Sequence, residues 1–396
     1  MKGSNSKQNK ALNLRLVLSE IVTQAPISRV EISRITHLTK QTITNMVEEL
    51  LASGLVIETG IRKEGAVGKP SKMLCLNNTG AYSFALRLFP NKIEAGIFSL
   101  VGEQICLASV EINNHEQEVL LTEINTLFQY LLAQASLSVS NILGAGVSFV
   151  NQRHHELASY QQNLLFKQAL AESLAIPVAS ESTAAACAAF QMLYGEAKQL
   201  HSFICIHISD VIEAAVVYDR KILLGQNGLT GAIGELFVTP ETDQKTAELG
   251  QLNDFASLGS LKKYLATQFS SNEALSAYCQ QNPNKVLPWF EQAAEPMRIA
   301  IHTLETLLNC QTIIISGDVS SWFLDKFITE LRPYIPSIAQ YGDRKVVRLI
   351  KTPQVEGIAL KGAATLPLHA ALAIDNMQTL SLPQRQALDE VQSLIF

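Results

Sequence analysis

Hydrogen-bonding side chains follow a helical spacing near the start of this 396-residue chain. Between residues 39 and 51, apolar residues recur every three or four positions, at Ile43, Met46, Val47, Leu50 and Leu51. The opposite face then carries ammonium, amide and hydroxyl groups, on Lys40, Gln41, Thr42, Thr44 and Asn45. Gln41 and Asn45 have the amides that pair with adenine edges, and Lys40 can bind a guanine edge or a phosphate. This spacing predicts a helix that reads DNA.

A second short helix is expected just before it. Ser28 and Glu31 have the spacing of a capping box, and Thr39 can cap the start of the next helix. A longer apolar helix over Leu12–Thr23 precedes both and ends near Pro26. Two short helices joined by a tight turn indicate a helix-turn-helix, in which polar groups at the helix starts contact the DNA backbone. We assign that role to Ser28, Arg29 and Thr39.

A basic hairpin follows the second helix. Residues 55–59 and 72–76 are predicted to form two paired strands, and the segment between them is rich in Gly, Lys and Arg. Glycines let the backbone approach a groove, and Lys69 is predicted to enter a narrow minor groove. Arg62 and Lys63 add positive charge to this wing. The alternative is a winged helix that binds a protein instead of DNA, and the basic wing argues against it.

Charge and composition support the same division. Residues 1–80 carry a net charge of +5 and the remainder −10, which indicates an anionic partner for the first segment unless the basic residues cluster by chance. With 47% hydrophobic and 17% charged residues, the chain is neither a disordered tail nor a disulfide-stabilised miniprotein. Its polar start and short apolar runs predict a cytoplasmic protein. The cysteine spacing predicts neither disulfides nor a zinc site.

The hydrophobic pattern of the sequence changes after residue 80. Three apolar strands over 83–89, 93–100 and 105–111 read as a meander, and further strands near 142–150, 203–209, 213–218, 312–316 and 346–350 alternate with helices. An alanine-rich helix is predicted over Ser182–Tyr194. This order predicts an α/β body of two lobes with a cleft between them.

The chain resembles the ROK family, and within it the regulators that include repressors of N-acetylglucosamine and xylose genes. The strongest match is SRVEISRITHLTKQTITNMVEELLASGLVIETG with GKPSKMLCLN, and weaker ones include IPVASESTAAACAAFQMLYGEA and GQNGLTGAIGEL. The resemblance implies a winged helix-turn-helix at residues 1–80 and a two-lobed, actin-like body at 81–396. The small lobe would span about 81–180 plus the C-terminal end, and the large lobe about 181–365.

The body departs from the family where a ROK sugar kinase does its chemistry. The general-base aspartate of the E-N-D-A-N segment corresponds to Thr183, which cannot accept a proton near neutral pH. Arg87 stands at the first phosphate turn, where kinases have an aspartate followed by glycines, and only Gly317 remains of a later nucleotide loop. The three cysteines of the family's zinc loop are missing from residues 247–254. We therefore expect no kinase activity, no cofactor and no metal.

Three polar residues remain as candidates for binding a ligand. Ser182 and Thr183 can hydrogen-bond an effector or simply cap a helix, and Glu235 can anchor a polyol or lie on a solvated turn. Phe149, at the family's P-G turn, is either a wall of the cleft or a core residue.

The sequence thus predicts a repressor that binds a double-stranded operator as a homodimer or homotetramer, and the resemblance implies that a carbohydrate-like effector controls it. The apolar stretches 289–308 and 382–396 either contribute to oligomerisation or belong to the core. One alternative is a regulator with no sugar ligand that a protein partner controls. The other is a ROK sugar kinase with an attached DNA-binding domain, against which Thr183 and Arg87 argue.

Overall fold

The computed structural model describes residues 6–62, 71–89, 91–149, 160–225, 228, 230–239, 249–310, 312–332 and 348–373. Its first elements form a unit that we call the head: α1 (Ser6–Gln24), β1 (Ile27–Ser28), α2 (Arg29–Thr36), α3 (Lys40–Ala52), β2 (Val56–Arg62) and β3 (Ser71–Leu76). The strands lie in the order β1-β3-β2, with β2 and β3 antiparallel. The predicted helices and the two strands that flank the wing are thereby confirmed.

The first body sheet is built from residues 82–182. Its elements are β4 (Tyr82–Leu88), β5 (Lys92–Ser99), β6 (Gln104–Glu111), α4 (Gln117–Ala135), β7 (Ile142–Phe149), α5 (Tyr160–Leu174) and β8 (Val178–Ser182). The order is β6-β5-β4-β7-β8: the meander pairs antiparallel, whereas β4, β7 and β8 run parallel. Phe149 is 7% exposed and packs edge-on against Phe166, so it is a core residue.

The second body sheet has the order β11-β10-β9-β14-β15. Its strands are β9 (Phe203–Ile208), β10 (Ile212–Tyr218), β11 (Lys221–Ile222), β14 (Thr312–Gly317) and β15 (Arg348–Lys351). A small hairpin and five helices fall within the same span: β12 (Phe237–Val238), β13 (Gly250–Gln251), α7 (Leu252–Ala256), α8 (Leu258–Leu265), α9 (Asn272–Gln281), α10 (Pro283–Leu308) and α11 (Ser321–Glu330).

The apolar stretch 289–308 lies within α10. Trp289 and Phe290 are at most 2% exposed and pack against Phe323 and Phe327 of α11. Most of the apolar surface of this helix therefore belongs to the core of the second sheet, although Leu307 remains 75% exposed. Residues 382–396 lie outside the described residues.

Two helices, α6 (Thr183–Leu193) and α12 (Ile358–Leu372), cross between the two sheets. They approach each other and the first sheet so closely that side chains are excluded. A Cβ atom on Gly146 of β7 would lie 1.7 Å from the carbonyl oxygen of Ala363, and one on Gly362 would lie 2.7 Å from the backbone of Ala186. Glycine is thus required at both contacts. The two helices join the lobes into one body.

The head shares its hydrophobic core with the body. Leu14, Leu18 and Ile21 of α1 belong to one buried cluster with Leu143 and with Leu193 of α6, and the same cluster includes Leu368, Ala371 and Leu372 of α12. Outside the core, the side-chain amides of Gln24 and Gln199 exchange two hydrogen bonds of 3.3 and 2.9 Å. The head is therefore packed onto the ends of the two connecting helices.

None of the described helices is both long and apolar enough to cross a bilayer. All six cysteines are free thiols, and five of them are buried.

Candidate functional site

The turn between α2 and α3 sets the direction of the outer helix. His37 adopts a left-handed conformation with φ 56°, which ends α2, and the Ser33 hydroxyl donates to the carbonyl of Leu38 at 2.7 Å. Thr39 then caps α3, because its hydroxyl oxygen accepts from the backbone amide of Thr42 at 3.2 Å. The predicted cap at Thr39 is confirmed, and the first backbone amides of α3 lie at the surface.

The outward face of α3 carries the predicted amides. Ile43, Val47 and Leu50 are fully buried against α1 and α2, which leaves Lys40, Gln41 and Asn45 exposed. The Gln41 side chain donates to the Asn45 carbonyl oxygen at 2.9 Å. This bond fixes the two amides relative to each other. It leaves the Asn45 NH₂ group and the Gln41 side-chain oxygen available to an outside partner.

The hydroxyl groups beside this face already have hydrogen-bond partners on α3 or its N-cap, and Thr42 and Thr44 are half-buried whereas Thr39 is exposed. Thr44 donates to the carbonyl of Lys40 at 2.9 Å, and the hydroxyls of Thr42 and Thr39 lie 2.9 Å apart. Each hydroxyl oxygen can still accept a further bond. Their predicted contacts with the DNA backbone stay predictions.

Ser28 already has a hydrogen-bond partner within the head, and its predicted DNA contact stays a prediction. It is 1% exposed, and its hydroxyl donates to the Glu31 carboxylate at 2.9 Å, while the backbone amide of Ser28 donates to the same carboxylate. The capping box is therefore confirmed, but the burial that it requires takes the hydroxyl away from solvent.

Arg29 joins α2 to the strands of the wing. Its guanidinium lies 2.9 Å from the Glu58 carboxylate on β2, which also binds the Lys72 ammonium of β3 at 2.5 Å. The hydrogen bond from Lys72, opposed by partial desolvation and reinforced by Arg29, lowers the pKa of Glu58. Arg29 thus has a structural partner besides any DNA contact. The Arg62 side chain, Lys63 and Lys69 lie outside the described residues.

Ser182 and Thr183 stand at the start of α6. The Ser182 hydroxyl accepts from the amide of Ala185 at 3.2 Å, so it is the N-cap. Thr183 is 1% exposed and donates to the carbonyl of Phe149 at 3.2 Å. Of the two interpretations open from sequence, the capping interpretation describes Ser182, and the buried Thr183 ties α6 to the end of β7.

Glu235 lies on a different element, at the end of a 3-10 helix over Ile233–Glu235, and is half-buried. The turn before it is held by the amide of Ala214, which donates to the carbonyl of Gly231 at 2.7 Å. Gly231 has φ +95°, and a Cβ atom there would lie 1.7 Å from the carbonyl oxygen of Ala214, so this close approach requires glycine. The structure fixes the backbone that presents Glu235; its role toward a ligand stays a prediction.

A small enclosed pocket next to β8 contains two titratable groups that the sequence did not single out. Burial raises the pKa of Glu181 to about 7, and the neighbouring Lys167 ammonium opposes that shift. On the opposite wall, burial and then the charge of Arg220 lower the pKa of His369 to about 4. Glu181 and His369 therefore both favour the neutral state near pH 6.

A larger cleft of about 570 Å³ opens between the two sheets. Arg87 of β4 and Asp318, just after β14, form its floor, and Glu94, Glu273 and Glu356 line its walls. The Arg87 guanidinium forms a two-pronged ion pair with the Asp318 carboxylate, one hydrogen bond being 2.8 Å long. The position that resembles a phosphate turn is therefore filled by an arginine that already has an anionic partner. No described group of His, Cys, Asp or Glu side chains could hold a metal ion.

The cluster around Asp318 had a signal in the sequence. Arg87 and His207 interrupt otherwise apolar strands, YSFALRL and FICIHI, and a charged or polar group inside a buried strand requires a partner. The partner could not be named, because Asp318 is 231 residues away from Arg87 in the chain.

Comparisons with known proteins agree with this geometry. The model of a family described as "ROK family" matches residues 85–370. A xylose repressor from Caldicellulosiruptor bescii is 25% identical over 401 residues, covering 95% of this chain and 98% of the relative. A solved ROK family transcriptional regulator, described as a homologue of the Escherichia coli MLC protein, superposes with a TM-score of 0.68 at 19% identity, covering 91% of this chain and 97% of that one. A ROK hexokinase from Thermus thermophilus gives a TM-score of 0.53 at 18% identity, with 72% and 97% covered.

Proposed function

Because the chain belongs to the ROK family, we propose that it is a DNA-binding transcriptional repressor of genes for sugar uptake or catabolism. The observation that carries this proposal is the outer face of α3, where Lys40, Gln41 and Asn45 are exposed together on a capped helix. A helix-turn-helix reads the major groove with the first turns of such a helix. The repressor from Caldicellulosiruptor bescii matches across both head and body, which supports the same conclusion.

The proposal includes the division of the chain into a DNA-binding head at 1–80 and an effector-binding body at 81–396. It also includes a homo-oligomer, since two heads on one palindromic operator need at least two copies of the chain. The protein acts on double-stranded DNA in the cytoplasm.

The body is proposed to sense a ligand without phosphorylating it. A kinase needs a carboxylate to accept the proton of a sugar hydroxyl and a cradle for nucleotide phosphates. Here the hydroxyl of Thr183 donates a hydrogen bond to the carbonyl of Phe149, and Arg87 is paired with Asp318. A carbohydrate-like effector, bound near Glu235, Ser182 and Thr183, would change DNA affinity through a difference in its affinity for two states of the body.

Recovery of bound DNA tests the regulatory function. Chromatin is cross-linked and recovered from cells, and purified protein is used in parallel to select genomic fragments at near-physiological salt. The expected result is one short palindrome, enriched in both experiments, beside transport or catabolic genes. If neither experiment enriches any sequence, the head serves another partner and the proposal is wrong.

A thermal-shift screen tests the effector. A carbohydrate that binds the folded state should raise the melting temperature in proportion to the logarithm of its concentration above Kd. The same compound should release the selected DNA. One competing function is a regulator that a protein partner controls, and the departure from the family's motif at Ser182 and Thr183 gives weight to it. If no pentose, hexose or acetylhexosamine in a full panel shifts the melting temperature, the result favours this alternative.

A further inference from the structure

We propose that Arg87 and Asp318 form a latch that holds the two lobes of the body together across the cleft, in the absence of any nucleotide. Arg87 is on β4 of the first sheet, and Asp318 follows β14 of the second. Two hydrogen bonds join the guanidinium to the carboxylate. An ion pair with one partner on each lobe has to break or stretch whenever the lobes separate.

The latch is largely buried, although it lies on the floor of the cleft. The side chains of Arg87 and Asp318 are 7% and 9% exposed. Losing one partner would leave the other charge buried and unpaired, which is far more costly than losing a surface ion pair. The pair therefore favours one arrangement of the lobes strongly over arrangements in which Arg87 and Asp318 are apart.

Residues of the second sheet fix the position of Asp318. The amide of Asp318 donates to the carbonyl of Ile208 at 2.9 Å, and Nε2 of His207 lies 3.4 Å from the carboxylate. The other ring nitrogen of His207 contacts the Ser316 hydroxyl at 3.1 Å. Because His207 is fully buried and Ser316 is on β14, the carboxylate is aimed at Arg87 by two neighbouring strands.

The first sheet positions Arg87 in a similar way. Its guanidinium carbon lies 4.6 Å from the centre of the Phe89 ring, a stacking distance that fixes the plane of the fork. Glu94 faces Arg87 directly across the antiparallel β4–β5 pair, but its carboxylate is bound by Lys92 at 2.6 Å. Asp318 is therefore the anion that binds both terminal nitrogens of the guanidinium.

The distance between the lobes tests the latch. Spin labels at Gln129→Cys on α4 and Lys263→Cys on α8, two exposed positions on opposite lobes, report that distance in pulsed dipolar spectra; all proteins also carry Cys75→Ser. D318N keeps the size of the side chain and removes its charge. The matched control is D325N, which breaks the 2.7 Å ion pair of Lys351 with Asp325 within one lobe.

The latch predicts one narrow inter-lobe distance in the parent and in D325N, and an added population at longer distance in D318N. The same narrow distance in folded D318N would overturn the proposal. If D318N does not fold, R87K carries the test, because it keeps the buried positive charge but loses the two-pronged geometry. R87K should also add the longer distance, and an unchanged distance in R87K overturns the proposal in that case.

Discussion

At the scale of single residues, the shifted pKa values of Glu181 and His369 predict how the stability of the protein changes with pH. The raised pKa of Glu181 means that the unfolded chain releases this proton more readily than the folded protein does, so the stability that this group contributes is lost as pH rises from about 4.5 to 7. The contribution of His369 to stability changes with pH in the opposite direction. Its lowered pKa makes stability fall as pH drops from 6.5 to about 4. The two effects oppose each other over the same range.

Glu181→Gln separates them. Because the amide removes the cost of burying a carboxylate, E181Q should be more stable than the wild type by about 2–3 kcal/mol at pH 8, and the difference should vanish near pH 4.5. Urea unfolding at several pH values measures it. His369→Gln is the matched control, since its advantage should appear only at acidic pH. A constant difference between E181Q and the wild type would show that Glu181 does not titrate in this way.

At the scale of elements, the capping box at the start of α2 stabilises the helix, and the burial of Ser28 predicts little effect on DNA affinity. Ser28→Ala removes the cap and should lower the free energy of unfolding by about 1–2 kcal/mol. Because the hydroxyl is buried, DNA affinity measured well below the melting temperature should stay within about twofold of wild type. Melting curves measure the loss of stability, and fluorescence anisotropy measures the affinity for DNA. A tenfold loss of affinity in folded S28A would restore Ser28 to the DNA interface.

The sequence determined most elements but few of the contacts between them. The period of three and four residues in α3, the Ser28 capping box and the apolar strands were all readable, because those signals depend on neighbours within a few residues. The pairing of Arg87 with Asp318 was not readable, since it depends on how two sheets face each other. Nor was the burial of Ser28, which follows from the packing of β1 beside β3.

The whole molecule is expected to unfold as one cooperative unit, because the head and the body share one core. Leu368→Ala on α12 should cost about 2–5 kcal/mol. The loss should appear in the head as well, as faster hydrogen exchange in α1. Leu261→Ala, in the core of the second sheet, is the comparison: if unfolding is cooperative, it should also speed the exchange that α1 undergoes through global unfolding. Two resolved calorimetric transitions, or an unaffected α1 in L368A, would contradict the shared core.

Shared packing also explains how a signal in the body can reach DNA. The helices α6 and α12 lie between the sheets, and their ends support α1, which in turn packs against α3. Under the proposed function, a change in the angle between the lobes would move the reading face through this packing. The coupling would be a difference in effector affinity between two states, and it would act in both directions.

Base reading by α3 is the central claim, and affinity for the selected palindrome tests it most directly. Gln41→Ala and Asn45→Ala are compared with Gln129→Ala, which breaks a similar amide pair with Asn125 on α4 of the body. Each head variant should lose about 1–3 kcal/mol on the palindrome and almost nothing on a scrambled duplex, whereas Q129A should bind both like the wild type. Wild-type affinity for the palindrome in both Q41A and N45A would contradict the account.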